Sequence, residues 1–150
     1  MLDRQPTTDQ ASAMPATTAS GATLRRIPAE TANRFLARFD HQASGSSEIA
    51  LGAFEEHHTL IGVATLTRRC NSSAALVVIV DRARRKLRIG SDLLHAAVSE
   101  AGSAGLRRLT ASYPSDALAA DALFSSSPFL TARRRADGRV TIVLFVPATR

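Results

Sequence analysis

VVIVDRARRKLRIGSDLLHAAVSEAGSAGLRRL, residues 77–109, is the stretch that decides the fold. It opens on the end of an unbroken apolar run, Ala74–Val80. A run apolar on both faces predicts a strand buried in the middle of a sheet. RARRKLR follows at 82–88, with five basic groups in seven positions. The text then turns helical over 91–102. Leu94, Ala97, Val98 and Ala101 recur at helical spacing, with Asp92, His95 and Ser99 on the opposite face. Asp92 in the first turn complements the positive end of a helix, and Gly102 and Gly105 are stop signals. Backbone N–H groups at a helix start have no intrahelical acceptor and point together at solvent, which makes an anion site. Gly90, lacking a Cβ, lets the backbone come close to the anion, and Arg82, Arg84, Arg85, Lys86 and Arg88 add positive potential around it. This chemistry favours a phosphate-rich ligand over a single carboxylate.

Working outward, TLRRI (23–27) reads as a strand, and Pro28 suits the first turn of a helix running to Phe39. HQASGSS (41–47) breaks the pattern. Strands are predicted at 48–54 and 60–66, with CNSS (70–73) as a hairpin turn before the apolar run. After the long helix come a strand at 107–113, a helix at 115–124, and strands at 129–135 and 140–146. The last two flank Ala136-Asp137-Gly138-Arg139, where Asp-Gly is a strong hairpin signal. The order β-α-β-β-β-α-β-α-β-β predicts an α/β chain with a mixed sheet and helices on its faces.

The chain has 150 residues and 16.0 kDa, enough for one domain, with 45% hydrophobic and 21% charged residues. Residues 1–22, rich in Pro, Thr, Ser and Ala, read as a flexible tail before a domain at 23–150. A single cysteine, Cys70, offers no internal disulfide, and in a turn it reads as incidental. The apolar runs are far short of a membrane span, and the N-terminus lacks a secretory apolar core, so a cytoplasmic location is expected. Net charge is +6, carried by 18 arginines and Lys86. Nucleic acid ranks last among partners, because 5% aromatic residues without tryptophan leave little for base stacking. Arg133–Arg135 are expected to face solvent on an edge strand. His57 and His58, if extended, point to opposite faces, so no metal site is expected. Asp92, His95 and Ser99 resemble a triad on paper and read as a solvated helix face.

The 77–109 stretch resembles the core motif of the GNAT superfamily of N-acetyltransferases. Val80, Arg85, Ile89, Gly90 and the following SDLL fall on it, and TLRRIPAETANRF, TLIGVATL and ADALFSSSPF resemble the family's flanking elements. Within the family it is most similar to bacterial protein-lysine acetyltransferases of the Pat type. The resemblance covers residues 23–150 and implies a mixed, mostly antiparallel twisted sheet of about seven strands with helices on both faces.

It also implies acetyl-CoA as co-substrate. The pantetheine would pair with the backbone of Val78, Ile79 and Val80, and the pyrophosphate would sit on the amides of Arg85, Lys86, Leu87, Arg88, Ile89, Gly90 and Ser91. The implied reaction transfers acetyl to an amine acceptor, with a protein lysine as the narrower expectation, by a monomer or homodimer. Glu55, Glu56 and His57 form the titratable cluster near where such folds admit the amine, and Tyr113 lies across the expected cleft. The departures are pointed. The motif's first glycine is Arg88, the strand position of the family's catalytic glutamate is Ala75, and the late-helix tyrosine is Phe124. These motivate the alternative, a catalytically impaired CoA-binding or protein-interaction module.

Overall fold

β5 (Ser73–Val80), the apolar run, lies inside an eight-stranded sheet ordered β1-β2-β3-β4-β5-β6-β8-β7 in a computed structural model. The structure describes residues 16–17, 22–39, 48–55, 59–83 and 88–147. Before β5 come β1 (Ala16–Thr17), β2 (Thr23–Arg26), α1 (Ala29–Ala37), β3 (Ile49–Glu55) and β4 (Thr59–Cys70). After it come α2 (Ile89–Ser103), β6 (Arg108–Pro114), α3 (Leu118–Ser125), β7 (Leu130–Ala136) and β8 (Arg139–Phe145). All pairings are antiparallel except β5 with β6. Glu56, Arg85, Lys86 and Leu87, with His57 and His58, lie outside the described residues.

Most strands fall within a residue or two of expectation, because alternating burial and local turn chemistry specify them; β4 instead runs four residues past the expected end, to Cys70, held by its pairing with β5, and β1 falls in residues 1–22, where no strand was expected. Asp137 (φ 54) and Gly138 (φ 75) are both left-handed, the pattern of a type I′ turn whose twist suits a two-residue hairpin. α2 stops in a Schellman motif. Gly105 takes φ 83, the Leu106 N–H donates to the Ala101 carbonyl at 2.9 Å, and the Gly105 N–H donates to Gly102 at 3.2 Å. Of the two glycine stop signals, then, Gly105 ends the helix and Gly102 lies inside it. Pro28 is the N-cap of α1 rather than part of its first turn, with its carbonyl accepting from Ala32 N–H at 3.1 Å. α3 begins at Leu118 rather than Ser115. Ser115 N–H is drawn to the Gly138 carbonyl at 2.8 Å, so the preceding residues form a turn instead.

The sheet buries both faces unequally. α2 and α3 cover one, where Leu93, Leu94, Ala97, Val98 and Phe124 join Leu66, Leu76, Leu109 and Ile142 in the main core. α1 covers the other over β3 and β4, where Phe35 and Leu36 pack with Ala50 and Val63. Val77 and Ile79 of β5 reach the rim of that smaller cluster and stay half-buried. β5 is therefore central in the sheet but is not fully covered on its α1 side. Arg68 clamps the end of the sheet beyond the β4–β5 turn. Its guanidinium donates to both Glu48 oxygens at 2.8 and 2.9 Å, to the Asn71 carbonyl at 2.7 Å and to the Ala104 carbonyl at 3.2 Å. No helix among the described residues is long and apolar enough to cross a membrane.

Candidate functional site: an unpaired strand edge leading to a helix start

β5 is paired with β4 along its whole length, from Ser73 to Val80. On its other side it pairs with β6 only at Ser73–Ala75, against Arg108–Thr110. From Leu76 and Ala111 onward the two strands run without a shared ladder, while β6 continues to pair with β8 as far as Pro114. The sheet is thus split from the middle upward. One wall of the split is the β5 edge at Val78, Ile79 and Val80, whose backbone has no strand partner on that side among the described residues. An open edge presents N–H and C=O groups to any extended ligand that can pair with them.

Chain direction carries the edge straight to α2. After Val80, the Asp81 N–H donates to the Ile61 carbonyl at 2.8 Å, and the Asp81 carboxylate accepts from Ala83 N–H at 3.0 Å. This Asx turn starts the basic loop and was not among the residues singled out from sequence. Its signal was an aspartate just after a strand. Arg88 is the N-cap of α2 and takes φ 64 and ψ 20. That is the left-handed conformation, costing a non-glycine residue roughly 1–2 kcal/mol. The Asp92 N–H returns to the Arg88 carbonyl at 3.1 Å, so the helix starts two residues before the expected Ser91. Among the described residues no side chain caps it, and the amides of Ile89, Gly90 and Ser91 precede the first intrahelical bond.

Two glycines fix how this helix start is seated. A Cβ on Gly62 of β4 would lie 3.0 Å from Leu93 Cδ1 and 3.4 Å from Ile89 Cγ2, so the first turn of α2 rests directly on the β4 backbone. Ile89 is buried by that contact and offers the site only its backbone. A Cβ on Gly90 would point between Val80 and Leu123, at 3.6 Å from each, ordinary contact distance. The space left by Gly90 therefore faces the gap between β5 and α3. Because that gap admits a methyl group and alanine favours a helix over glycine, Gly90→Ala should stabilise the fold by about 0.5–1 kcal/mol, read as a raised melting temperature.

The other candidates divide. Glu55 ends β3 opposite Thr59, at the same end of the sheet as Val80 but two strands away from β5. Tyr113 sits near the end of β6, across the split. It is 6% exposed, its ring stacked on Phe124 with centroids 5.7 Å apart, and its hydroxyl donates to the Asp121 carboxylate at 2.9 Å. Arg133 and Arg135, two apart on β7 and so on one face, come within 3.9 and 3.8 Å of the same carboxylate, and Arg133 also donates to Ser125 Oγ. All three arginines are exposed on the edge strand, as expected, and Arg133 and Arg135 in addition reach toward Asp121 of α3, a residue that sequence reading passed over. Only the facing of Arg133 and Arg135 was legible; that Asp121 meets them depends on how α3 docks. His95 is exposed and turns its ring edge-on to Phe129 at 5.2 Å. Among the described residues no group of three or more His, Cys, Asp or Glu side chains could hold a metal ion.

Burial first, and then the hydrogen bond to Asp121, push the Tyr113 hydroxyl above the usual tyrosine value of 10.0. The folded chain thus holds this proton more tightly than the unfolded chain. The stability it contributes is intact below pH 10 and is lost as pH rises through the folded value. Tyr113 is the only tyrosine and tryptophan is absent, so tyrosinate absorbance reports this residue alone. Above pH 10 that absorbance should rise late and together with loss of helical circular dichroism, and Tyr113→Phe should flatten the alkaline fall in stability.

No model of a known protein family matches the sequence, and no curated protein matches it. Solved structures do. A Klebsiella pneumoniae protein, described as a proposed acyl-CoA N-acyltransferase, superposes with TM-score 0.72 at 18% identity, over 85% of this chain and 99% of that one. The GNAT domain of S. lividans PAT gives 0.69 at 18%, over 88% and 96%. A Salmonella typhimurium protein, described as a proposed acetyltransferase and solved with its cofactor acetyl-CoA, gives 0.66 at 17%, over 86% and 96%. The chain has the fold of the GNAT acetyltransferases.

Proposed function

We propose, on the premise of that GNAT fold, that the chain is an acetyl-CoA-dependent N-acetyltransferase acting on an amine, with a protein lysine as the acceptor to test first. The observation that carries the proposal is the β5 edge. It loses its β6 partner after Ala75 and lies beside the start of α2, where Val80 flanks Gly90. Acetyl-CoA supplies the acetyl group as a thioester. In this reading the backbone of Val78, Ile79 and Val80 pairs with the amides of the pantetheine arm, as a neighbouring strand would. The amides of Arg88, Ile89, Gly90 and Ser91 hold the pyrophosphate oxygens. Arg88, exposed at the helix start, closes over the phosphates. An N–H at the end of β5 polarises the thioester carbonyl.

Rate comes mainly from holding a neutral amine against the bound thioester, and a base is needed only to remove one proton. Glu55, at the end of β3, is the carboxylate proposed for that role among the described residues, directly or through water. The Tyr113 hydroxyl, committed to Asp121, positions α3 beside the split rather than offering a free proton. That commitment, together with Ala75 and Phe124, favours one second reading: a module that binds CoA without turning it over.

Isothermal titration with CoA and acetyl-CoA, beside thiol release across a panel of amines and lysine-rich proteins, separates the two. Binding with thiol release is expected. Binding without release against every acceptor would move the assignment to the module, and no binding of either ligand would overturn both.

A further inference from the structure

The half of the sheet farthest from α1 leaves one face without a helix among the described residues. Register places Arg108, Thr110 and Ser112 of β6 on that face, with Arg139, Thr141, Val143 and Phe145 of β8 opposite them. Ala132 and Arg134 of β7 continue it, paired with Val143 and Thr141. β6, β7 and β8 contain no aspartate or glutamate. Arg133 and Arg135 turn to the other face and are engaged by Asp121, but Arg108, Arg134 and Arg139 have no carboxylate partner among the described residues. At the end nearer the β4–β5 turn an open groove of about 300 Å³ lies between Arg107, Arg108, Thr131 and Phe145, and Phe145 is 53% exposed there. β7 is the last strand in the sheet order, so its outer edge is unpaired among the described residues.

We infer that this face and the β7 edge form a docking site for an acidic, extended segment of another polypeptide. Three features select that occupant. An outer strand edge offers backbone donors and acceptors that another strand satisfies and a nucleic-acid backbone does not. Guanidinium groups pair with carboxylates in a two-pronged geometry, so a segment with alternating carboxylates can meet Arg134 and Arg139 along the sheet. Phe145 and Val143 give the groove an apolar floor for one aliphatic anchor, with Arg107 and Arg108 at its rim. A second copy of this chain is disfavoured, because it would set Arg133–Arg135 against their own kind. Nucleic acid is disfavoured because Phe145 is the single aromatic residue on the face and gives no run of stacking surfaces.

The test is fluorescence anisotropy at physiological salt with a short labelled peptide of alternating glutamate and valine ending in leucine. The same peptide with lysine for glutamate and a single-stranded oligonucleotide serve as comparisons. The acidic peptide is expected to bind, and Arg134→Glu and Arg108→Glu should each weaken it about tenfold. Phe145→Ser should weaken it with little change in salt dependence. Amides of β7 that exchange freely should become protected in the complex. The melting temperature and CoA titration of each variant, expected unchanged, separate a lost docking face from a lost fold and from failure of the acetyltransferase reading. Absence of binding at millimolar peptide, indifference to both charge reversals, equal or tighter binding of the oligonucleotide, or unchanged β7 exchange would each overturn the inference.

Discussion

Arg88→Gly is expected to raise the melting temperature and weaken CoA binding at the same time. Arg88 holds φ 64 at the start of α2, where a Cβ is strained and glycine is not. Relief of that strain, less the extra freedom glycine gains in the unfolded chain, leaves about 0.5–1 kcal/mol of added stability. In the proposed complex the guanidinium lies over the phosphates, so its loss removes charge-assisted hydrogen bonds of roughly 1.5–3 kcal/mol. The left-handed strain at Arg88, roughly 1–2 kcal/mol, is no larger than this gain. CoA binding should therefore fall about tenfold or more, with a shallower salt dependence. Arg88→Asn separates the two causes. Asparagine tolerates the left-handed conformation without supplying the cation, so its binding should fall as far as that of the glycine variant. Arg88→Glu, which places a carboxylate beside the phosphates, should lose the most. Tighter CoA binding by Arg88→Gly at ordinary salt would mean that the side chain obstructs the amides instead of closing over the ligand.

Gly62→Val should abolish measurable CoA binding and destabilise the fold. The first turn of α2 rests on Gly62 through Leu93 and Ile89, and a Cβ there already meets Leu93 at 3.0 Å before the two extra methyl groups are added. Leu93 and Ile89 are both buried, so they can yield only by displacing other core side chains. Overpacking of this kind costs about 1–3 kcal/mol. Part of the strain should be released by lifting the start of α2, which moves the amides of Ile89, Gly90 and Ser91 away from the end of β5. Chemical denaturation and CoA titration check the pair of effects. A Gly62→Val protein that bound CoA with wild-type affinity would show that the seating of α2 on β4 does not set the site.

Much of the fold was legible because its signals are local. The β7–β8 turn follows from two residues, Asp137 and Gly138, that accept positive φ. The end of α2 follows from Gly105, and the central strand from an apolar run with no polar face. The loop from Val80 to Ser91 was recognisable as a helix entry because charge and a glycine gathered just before a helical period. Less legible were the features made by elements far apart in the chain. Nothing in residues 73–80 says that pairing with β6 stops at Ala75, since that depends on where β8 and α3 hold β6. From sequence, Tyr113 was legible only as a residue at the end of a strand across the expected cleft. Asp121, eight residues on and in a different element, captures its hydroxyl.

By itself, the sequence determined which segments are extended or helical, where basic groups concentrate and which side chains share a face. Those properties follow from backbone periods of 2 and 3.6 residues and from turn chemistry spanning a few residues. Tertiary structure alone decided that the sheet splits beside β5, that Arg88 takes a glycine's conformation, that Gly62 seats α2, and that the Asp121 carboxylate gathers Tyr113, Arg133 and Arg135. Each of these is settled by the meeting of surfaces distant in sequence, where packing and hydrogen-bond satisfaction over the whole core outweigh any local preference.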